Sequence, residues 1–413
     1  MAGEFSVTTL GRLLSFANGR SSPDRADGLP YSVYGSNGVI GRADEANADA
    51  NSIVIGRVGS YCGSLYLSKQ RCWVTDNAIR ATALDDNDPR FLFYLLSTLR
   101  LNNWRAGSGQ PLLNQEILSR IPAVAPLPPT QRAIAHILGT LDDKIELNRR
   151  MNETLEAIAR ALFKSWFVDF DPVRAKAEGR DPRLPQPLAD LFPDSLEESA
   201  LGQIPRGWAI GQVADLCDAI YSGGTPSTQL AEYWNGDLPW LSSGETRDTF
   251  IIDTEKRITT AGVSNSSTRA ARSLSTVIAS AGQGNTRGQT SLLGIDCYVN
   301  QSVVVLSANR RRSSPLHLFF DLERRYEEFR QVSDGHSSRG SLTTKLLARL
   351  GAVLPPFPLI ERFDAVVAPA VDRAIINLRE SRALAALRDT LLPKLIAGEL
   401  RVEDPARFSG SND

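Results

Sequence analysis

The sequence predicts a mixed α/β (α+β) fold made of two duplicated globular domains and two long helices. Three observations predict it. The chain repeats itself at a spacing of about 200 residues, each copy opens with short strand-like runs, and each copy ends in a heptad-patterned helix. With 42% hydrophobic and 23% charged residues, the chain is typical of globular proteins. We expect two domains joined by two antiparallel coiled-coil helices, with pseudo-two-fold symmetry.

The internal repeat is visible in matched segments along both copies. Residues 72–77 (CWVTDN) align with 297–302 (CYVNQS), and 89–94 (PRFLFY) align with 315–320 (PLHLFF). Further on, the letters QPLLN of 110–114 align with GSLTT of 340–344. A period of this length indicates a duplicated domain rather than a solenoid.

Short local patterns define the globular part of each copy. Apolar runs at 52–55 and 275–278 end near glycines and predict strands, as do 72–74 and 297–299. Segments 91–101 and 316–329 predict helices, each preceded by a proline. The glycine-containing segments 35–38 and 282–285 are typical of turns, with ligand-contacting loops as the alternative.

Two heptad seams define the long helices. The first is predicted from Thr130 to about Asp169 and the second over 357–400, closed by Gly398. Polar Asn148 and Asn152 interrupt the first seam and are expected to fix its register. Since each seam needs a partner, we expect the two helices to pair with each other.

These signals divide the chain into six segments. They are a first domain at 1–127, a central helix at 128–170, a linker at 171–205, a second domain at 206–356, a C-terminal helix at 357–400 and a tail at 401–413. Six prolines within 171–205 predict a stiff, extended connection rather than a packed element.

Several classes of protein are excluded or disfavoured by what the sequence lacks. It has no apolar run of transmembrane length and no secretory signal pattern, and its four cysteines are far apart, so we expect a cytoplasmic protein without membrane contact. The three histidines have no metal-ligand spacing, and neither a nucleotide-binding P-loop nor a nucleophile elbow is present. We predict that the chain is not itself an enzyme and carries neither a metal nor a cofactor.

The charge pattern is ambiguous. The formal net charge is −1, but arginines far outnumber lysines among the 46 basic residues. Arginine suits bidentate contacts to phosphate or guanine. A GC-rich genome would produce the same bias, so both interpretations stay open.

The motifs at the domain boundaries resemble those of one family, the specificity (S) subunits of type I restriction–modification systems. The segment 204–208 (IPRGW) resembles the start of that family's target recognition domain, and 75–79 (TDNAI) resembles its central strand motif. The segment 127–132 (LPPTQR) opens the first spacer helix as in the family, while 162–170 and 392–400 resemble its helix-closing motifs. The resemblance covers nearly the whole chain.

The resemblance implies a non-catalytic subunit that binds double-stranded DNA. Each target recognition domain would read one half of a bipartite target, and the helices would set the spacer between the halves. The helices would also dock two modification (methyltransferase) subunits and restriction (motor-nuclease) subunits. S-adenosylmethionine, ATP and Mg would then bind those partners rather than this chain. The alternatives are an adaptor with duplicated ligand-binding domains and a detached recognition part of a single-chain restriction–methyltransferase.

Base reading requires donors and acceptors on loops at strand ends. On that ground we predict nine DNA-contacting residues, four in the first domain and five in the second: Arg57, Arg105, Gln110 and Asn114, then Arg247, Gln283, Asn285, Arg287 and Arg339. At the helix ends, Phe167, Phe170 and Leu400 are predicted to bury against partner subunits or neighbouring domains, with packing inside their own domain as the alternative.

Overall fold

A computed structural model of the chain describes residues 5–106, 112–282, 284–336, 341–403 and 405. The chain forms two compact units. The first takes the residues up to Leu147 and those from Ser381 onward, and the second takes Asn148–Glu380. Each unit therefore combines a globular domain with half of each long helix, so the unit boundaries lie inside the helices rather than at their ends.

In the described part of the first unit, nine strands and three short α-helices precede the long helix. The strands are β1 (Ser6–Thr9), β2 (Leu14–Asn18), β3 (Tyr31–Gly35), β4 (Gly38–Ala43), β5 (Ser52–Gly56), β6 (Leu65–Ser68), β7 (Cys72–Val74), β8 (Ala78–Ala83) and β9 (Pro122–Ala125). The helices are α1 (Leu10–Leu13), α2 (Pro89–Thr98), α3 (Gln115–Arg120) and the long α4 (Pro128–Phe167).

Two sheets form the body of this unit. One has the strand order β2-β8-β5-β6 and is antiparallel. The other has the order β4-β3-β7 and includes the parallel pair β3 and β7. Strand β5 is buried along its whole length, and its side chains join those of α2 in one core with Ile134, Leu138 and Leu395 from the long helices.

After its part of α4, the second unit continues with two short helices, α5 (Asp171–Ala177) and α6 (Gln186–Ala189). Its strands are β10 (Leu196–Ser199), β11 (Gly202–Pro205), β12 (Ala209–Gln212), β13 (Cys217–Ser222), β14 (Trp234–Leu241), β15 (Phe250–Ile251), β16 (Lys256–Ile258), β17 (Arg269–Ala271), β18 (Thr276–Ala279), β19 (Thr290–Leu293), β20 (Cys297–Val299), β21 (Val303–Ala308) and β22 (Gly351–Leu354). The remaining helices are α7 (Thr260–Ser264), α8 (Pro315–Glu323), α9 (Tyr326–His336), α10 (Thr344–Ala348) and the long α11 (Phe357–Ile396).

Two sheets also form the body of the second unit. The larger has the order β13-β21-β18-β19-β15, and the smaller has the order β16-β14-β20-β17. The predicted strands at 52–55, 72–74, 275–278 and 297–299 are confirmed. The single helix predicted at 316–329 is wrong, because the chain forms α8 and α9 with a break between them.

Within each unit the two long helices run antiparallel, as their seams predict. In the second unit Asn152 donates to the Ala374 carbonyl (3.1 Å) and accepts from Asn377 (2.9 Å), while Phe163 packs on Phe363 further along. In the first unit Arg388 donates to Asp142 at 2.7 Å. Asn148 and Asn152 are buried, so the predicted polar layer lies inside the seam.

The prediction of an extended linker at 171–205 is wrong. This segment folds into α5, α6 and the hairpin of β10 and β11, and it packs within the second unit. Val173 and Phe192 are buried in the same core as Trp166, whose ring meets that of Phe192 edge-on. Proline restricts the backbone, but a few well-spaced apolar side chains are sufficient to fold such a segment onto a neighbouring core.

Candidate nucleic-acid interface

Loops of the first unit converge at one end of its two sheets. The carboxyl ends of β2, β3, β5 and β7 and the amino ends of β6 and β8 all lie there. Arg57, directly after β5, is at the centre: its backbone N–H donates to the Asn77 carbonyl (3.0 Å), and its own carbonyl accepts from the N–H of Leu113 (3.1 Å). Ser36 donates to the same Asn77 carbonyl. Four loops are therefore tied together around Arg57.

A further loop crosses this end of the sheets at Gly19 and Arg20. The N–H of Gly19 donates to Ala78 (3.1 Å) and that of Arg20 to Val74 (3.0 Å). A β-carbon at Gly19 would overlap the Thr75 carbonyl, so the crossing requires glycine. Arg20 is exposed beside the other loops. The sequence prediction omitted Arg20, although its place after the repeated glycine is a signal for it.

The second unit repeats this junction with other side chains. The N–H of Ser280, directly after β18, donates to the Ser302 carbonyl (2.8 Å), and the Ser280 carbonyl accepts from Leu342 (2.9 Å). Gly223 donates to the Asn300 carbonyl (3.1 Å), and a β-carbon there would overlap the Val299 carbonyl. Ser280 therefore corresponds to Arg57, and Gly223 corresponds to Gly19.

Three polar side chains of the second unit are exposed at this end of its sheets. Arg247 lies in the loop after β14, and Asn285 lies in the loop between β18 and β19, so both predicted residues are on converging loops. Gln301, which the prediction omitted, is exposed and accepts a hydrogen bond from Thr225 at 2.5 Å through Oε1, a contact that does not use its amide N–H groups. Such donors are suited to base edges and phosphates.

Two predicted DNA-contacting residues have structural contacts instead. Arg287 is only 8% exposed, and its guanidinium is ion-paired with Asp334. Asn114 is the N-cap of α3, where its side chain accepts from the N–H of Ile117 at 2.8 Å. For both residues, polar groups that we predicted to contact DNA form bonds within the unit.

The other predicted residues of the first domain differ in exposure. Arg105 is exposed and lies next to a short bridge between Ala106 and Leu112 at the same end of the sheets. Arg57 is half-buried, and its Nε has no hydrogen-bond partner among the residues that the structure describes. Gln110, Gln283 and Arg339 lie outside the described residues.

Two of the three predicted docking residues are buried within the second unit. Phe167 and Phe170 are each 5% exposed and pack on Trp208 inside the second unit, and Phe167 also contacts His317 and Phe363. Trp208 and His317 belong to the second globular domain, so both residues bury against a neighbouring domain, which is one of the two outcomes predicted for them. Leu400 is 43% exposed, so its docking role stays a prediction.

The cysteine beside the first junction is a neutral thiol. Burial raises the pKa of Cys62, and its thiol donates to the Arg57 carbonyl at 3.2 Å. In the second unit burial raises the pKa of Cys297 to about 12. Since thiolate is the nucleophilic form of cysteine, these two side chains are suited to packing rather than chemistry.

Across the part of the chain that the structure describes, no group of three or more His, Cys, Asp or Glu side chains is placed to hold a metal ion. Among the same residues, no helix combines the length and apolar character needed to cross a membrane.

Comparison with known proteins gives consistent matches. The family described as "Type I restriction modification DNA specificity domain" matches twice, at residues 4–157 and 205–359. The chain is 28% identical over 360 residues to the type I restriction enzyme HindI specificity subunit of Haemophilus influenzae, covering 76% of this chain and 77% of that protein. It is 23% identical to the MjaIX specificity subunit of Methanocaldococcus jannaschii, with 76% of this chain and 69% of that protein covered.

A solved structure has the same fold. It is the S subunit of a type I restriction–modification system from M. genitalium, with a TM-score of 0.68 and 16% sequence identity. The match covers 95% of this chain and 96% of that one. At this identity the likeness concerns the fold, and it includes both globular domains and both long helices.

Proposed function

Because the chain belongs to the type I restriction–modification DNA specificity family, we propose that its two units read the two halves of a bipartite DNA target. The observation that carries this proposal is the duplicated junction: in each unit, loops from several strand ends converge around one backbone position, Arg57 or Ser280. The hydrogen bonds at each junction join main-chain groups. These bonds can therefore be kept while the exposed side chains change.

The contacts to DNA would come from side chains on these converging loops. In the first unit we propose Arg20, Arg57 and Arg105, and in the second Arg247, Asn285 and Gln301. The arginines can approach phosphates or guanine edges in a bidentate manner, and the amides can pair with adenine. The three predicted residues outside the described part of the chain remain proposals.

The chemistry would be supplied by partners. We propose that modification subunits with S-adenosylmethionine, and restriction subunits with ATP and Mg, assemble on this chain in the cytoplasm. Exposed apolar side chains support a docking role for the helices, since Ile158, Val366 and Ile376 are each about half exposed. Replacing Ile376 by Glu should reduce co-purification of a modification subunit without altering the melting temperature, whereas unchanged co-purification would remove Ile376 from the docking surface.

Domain exchange tests the division of reading between the units. Residues 206–355 would be replaced by the corresponding segment of another specificity subunit, and methylated sites in cells carrying the hybrid would be mapped by long-read sequencing. We expect only one half of the methylated motif to change. A change in both halves would contradict separate reading.

A paired insertion tests whether the helices set the spacer. Four residues added after Asn152 and four opposite them, after Ala374, would lengthen both helices by about 6 Å at 1.5 Å per residue. Adding to both helices keeps their pairing, and a coiled coil accommodates a four-residue insertion by local unwinding. At about 3.4 Å per base pair the unread spacer should grow by about 2 base pairs, with both half-sites unchanged. An unchanged spacer in an active, folded complex would rule the idea out.

A further inference from the structure

An arginine and a tyrosine form a stacked pair on the second unit, close to its converging loops. The guanidinium carbon of Arg269 lies 4.0 Å from the centre of the Tyr221 ring. The Tyr221 hydroxyl donates to the Ala270 carbonyl at 2.6 Å, so the ring is held against the start of β17. This pair connects an edge strand of the larger sheet, β13, to an edge strand of the smaller one, β17.

The pair is at the same end of the sheets as the candidate reading loops. Arg269 is opposite Val299, the last residue of β20, and the chain continues from there into Asn300 and Gln301. Tyr221 is two residues before Gly223, which donates to the Asn300 carbonyl. A ligand that contacts Gln301 therefore lies beside Arg269.

The guanidinium of Arg269 is held over the Tyr221 ring, and its N–H groups form no ion pair within the described residues. Arg269 is exposed, and within the described residues no carboxylate forms an ion pair with it. The nearby acid Asp296 is already paired with Arg272 and with the N–H of Ser273. The guanidinium lies over the ring through its face, and the N–H donors of a guanidinium lie in its plane, so a cation–π contact of this kind does not use the donors that bind phosphate oxygens.

The junction of converging loops that both units share does not require this arginine–tyrosine pair. In the first unit Ala17 takes the position of Tyr221, two residues before the matching glycine, and Ala46 takes that of Arg269, by the pairing of Ala48 with Cys72. The first unit, with alanine at both positions, folds into the same junction without ring or guanidinium. The pair is therefore an addition to one unit and not part of what holds the loops together.

We propose that Arg269, positioned by the Tyr221 ring, binds a backbone phosphate of the DNA half-site read by the second unit. The inference rests on the proposed function and adds a residue to it. A phosphate contact strengthens binding to any sequence, whereas a base contact changes sequence preference. The two roles therefore differ in what they change.

The experiment measures DNA affinity of the full chain in complex with its modification subunits over a range of salt concentrations. The probes are a duplex with the motif found by methylation mapping and a duplex of scrambled sequence. Each phosphate contact contributes about 0.9 to the slope of log affinity against log salt. Arg269→Ala should reduce the slope by about 0.9 on both duplexes, which corresponds to about eightfold weaker binding at 0.1 M salt relative to the 1 M limit.

Two further variants keep the test decisive. Arg269→Lys retains the charge and should retain the slope, so it reports on the contact even if the alanine variant folds poorly. Tyr221→Leu should weaken binding less than Arg269→Ala does, and Tyr221→Phe, which keeps the ring but loses the hydrogen bond to the Ala270 carbonyl, should weaken it less again. Arg311→Ala is the matched control, because Arg311 is exposed at the opposite end of β21 and should leave affinity unchanged.

Other outcomes would overturn the proposal in distinguishable ways. If Arg269→Ala leaves both affinity and slope unchanged, the phosphate contact is absent, but the proposed function stands. If the slope is kept and one base position loses its preference, Arg269 reads a base. If the wild-type complex does not distinguish the motif from the scrambled duplex, the proposed function fails and the contact fails with it.

Discussion

The two units build the same junction from different side chains. Gly19 and Gly223 make the same crossing, and the main-chain bond from Arg57 to Asn77 matches the one from Ser280 to Ser302. The side chains at matching positions differ in size and charge. Main-chain hydrogen bonds do not depend on side-chain identity, so this frame tolerates variation in the groups it presents. The comparison separates residues that hold the loops from residues that the loops present.

The largest expected effect concerns the cores that support the two junctions. Phe167→Asp in the second unit and Ile396→Asp in the first each place a carboxylate in a core where the native side chain is about 5% exposed. Losing the apolar packing costs about 3–5 kcal/mol for the phenylalanine, and burying an unpaired charge adds to it. Hydrogen exchange should show that each substitution lowers amide protection mainly in its own unit. Equal loss of protection in both units would show that they unfold together.

The next largest expected effect is a difference between the two units in how their stability depends on pH. Burial lowers the pKa of His317 in the second unit to about 4. The unfolded chain binds this proton near pH 6.5 and the folded unit only near 4, so stability is full above pH 6.5 and is lost as the pH falls toward 4. The shift corresponds to roughly 3 kcal/mol, and His317→Asn, which does not titrate, should remove this pH dependence from the unfolding free energy.

In the first unit the corresponding pH window lies lower. Hydrogen bonds from Arg90, and then from Lys69, lower the pKa of Asp143 to about 2. Its contribution is present above pH 3.8 and is lost as the pH falls toward 2. The Asp143 side chain is 47% exposed, so we expect a small effect that salt screens further. Between pH 6.5 and 4, hydrogen exchange should therefore report weakening of the second unit first.

The two glycine crossings give a matched pair of substitutions, for which we expect effects of intermediate size. Gly19→Ala and Gly223→Ala each force a backbone shift where strand ends meet, and we expect about 1–3 kcal/mol of destabilisation from either. Each variant should impair recognition of its own half-site only. Gly244→Ala is the control, because the nearest atom to its β-carbon is the Ser242 hydroxyl at 3.9 Å. If only one of the two glycine substitutions impairs stability and recognition, the junctions of the two units are not equivalent.

The sequence predicted the features that depend on local pattern. Seam spacing and Gly398 place the long helices within about four residues of their ends, and the repeated segments include the glycines of both crossings. It could not predict contacts made across long separations. The ion pair of Arg287 depends on Asp334, 47 residues later, and the packing of Phe192 depends on the core around Trp166. Side-chain burial of this kind follows from the fold and not from neighbouring letters.

The alignment of the two copies was wrong by one residue after the reading loops. Matching letters aligned Asn114 with Thr344, whereas the structure matches it with Thr343, because each of these two residues is the N-cap of a short helix. Repeated leucines allow either alignment when only letters are compared. The hydrogen bonds of Leu113 to Arg57 and of Leu342 to Ser280 decide between them.

The helix caps provide the smallest and most discriminating test of this comparison. Asn114 accepts from Ile117 at 2.8 Å, and Thr343 accepts from Leu346 at 3.1 Å. Replacing either by Ala should cost about 1 kcal/mol of unfolding free energy, because an N–H at the helix start loses its acceptor. If capping is the whole role of Asn114, then Asn114→Asp, which preserves an acceptor, should restore stability and leave the methylated motif unchanged. A motif that loses a base preference in Asn114→Asp while stability is restored would return Asn114 to the reading residues and end its equivalence with Thr343.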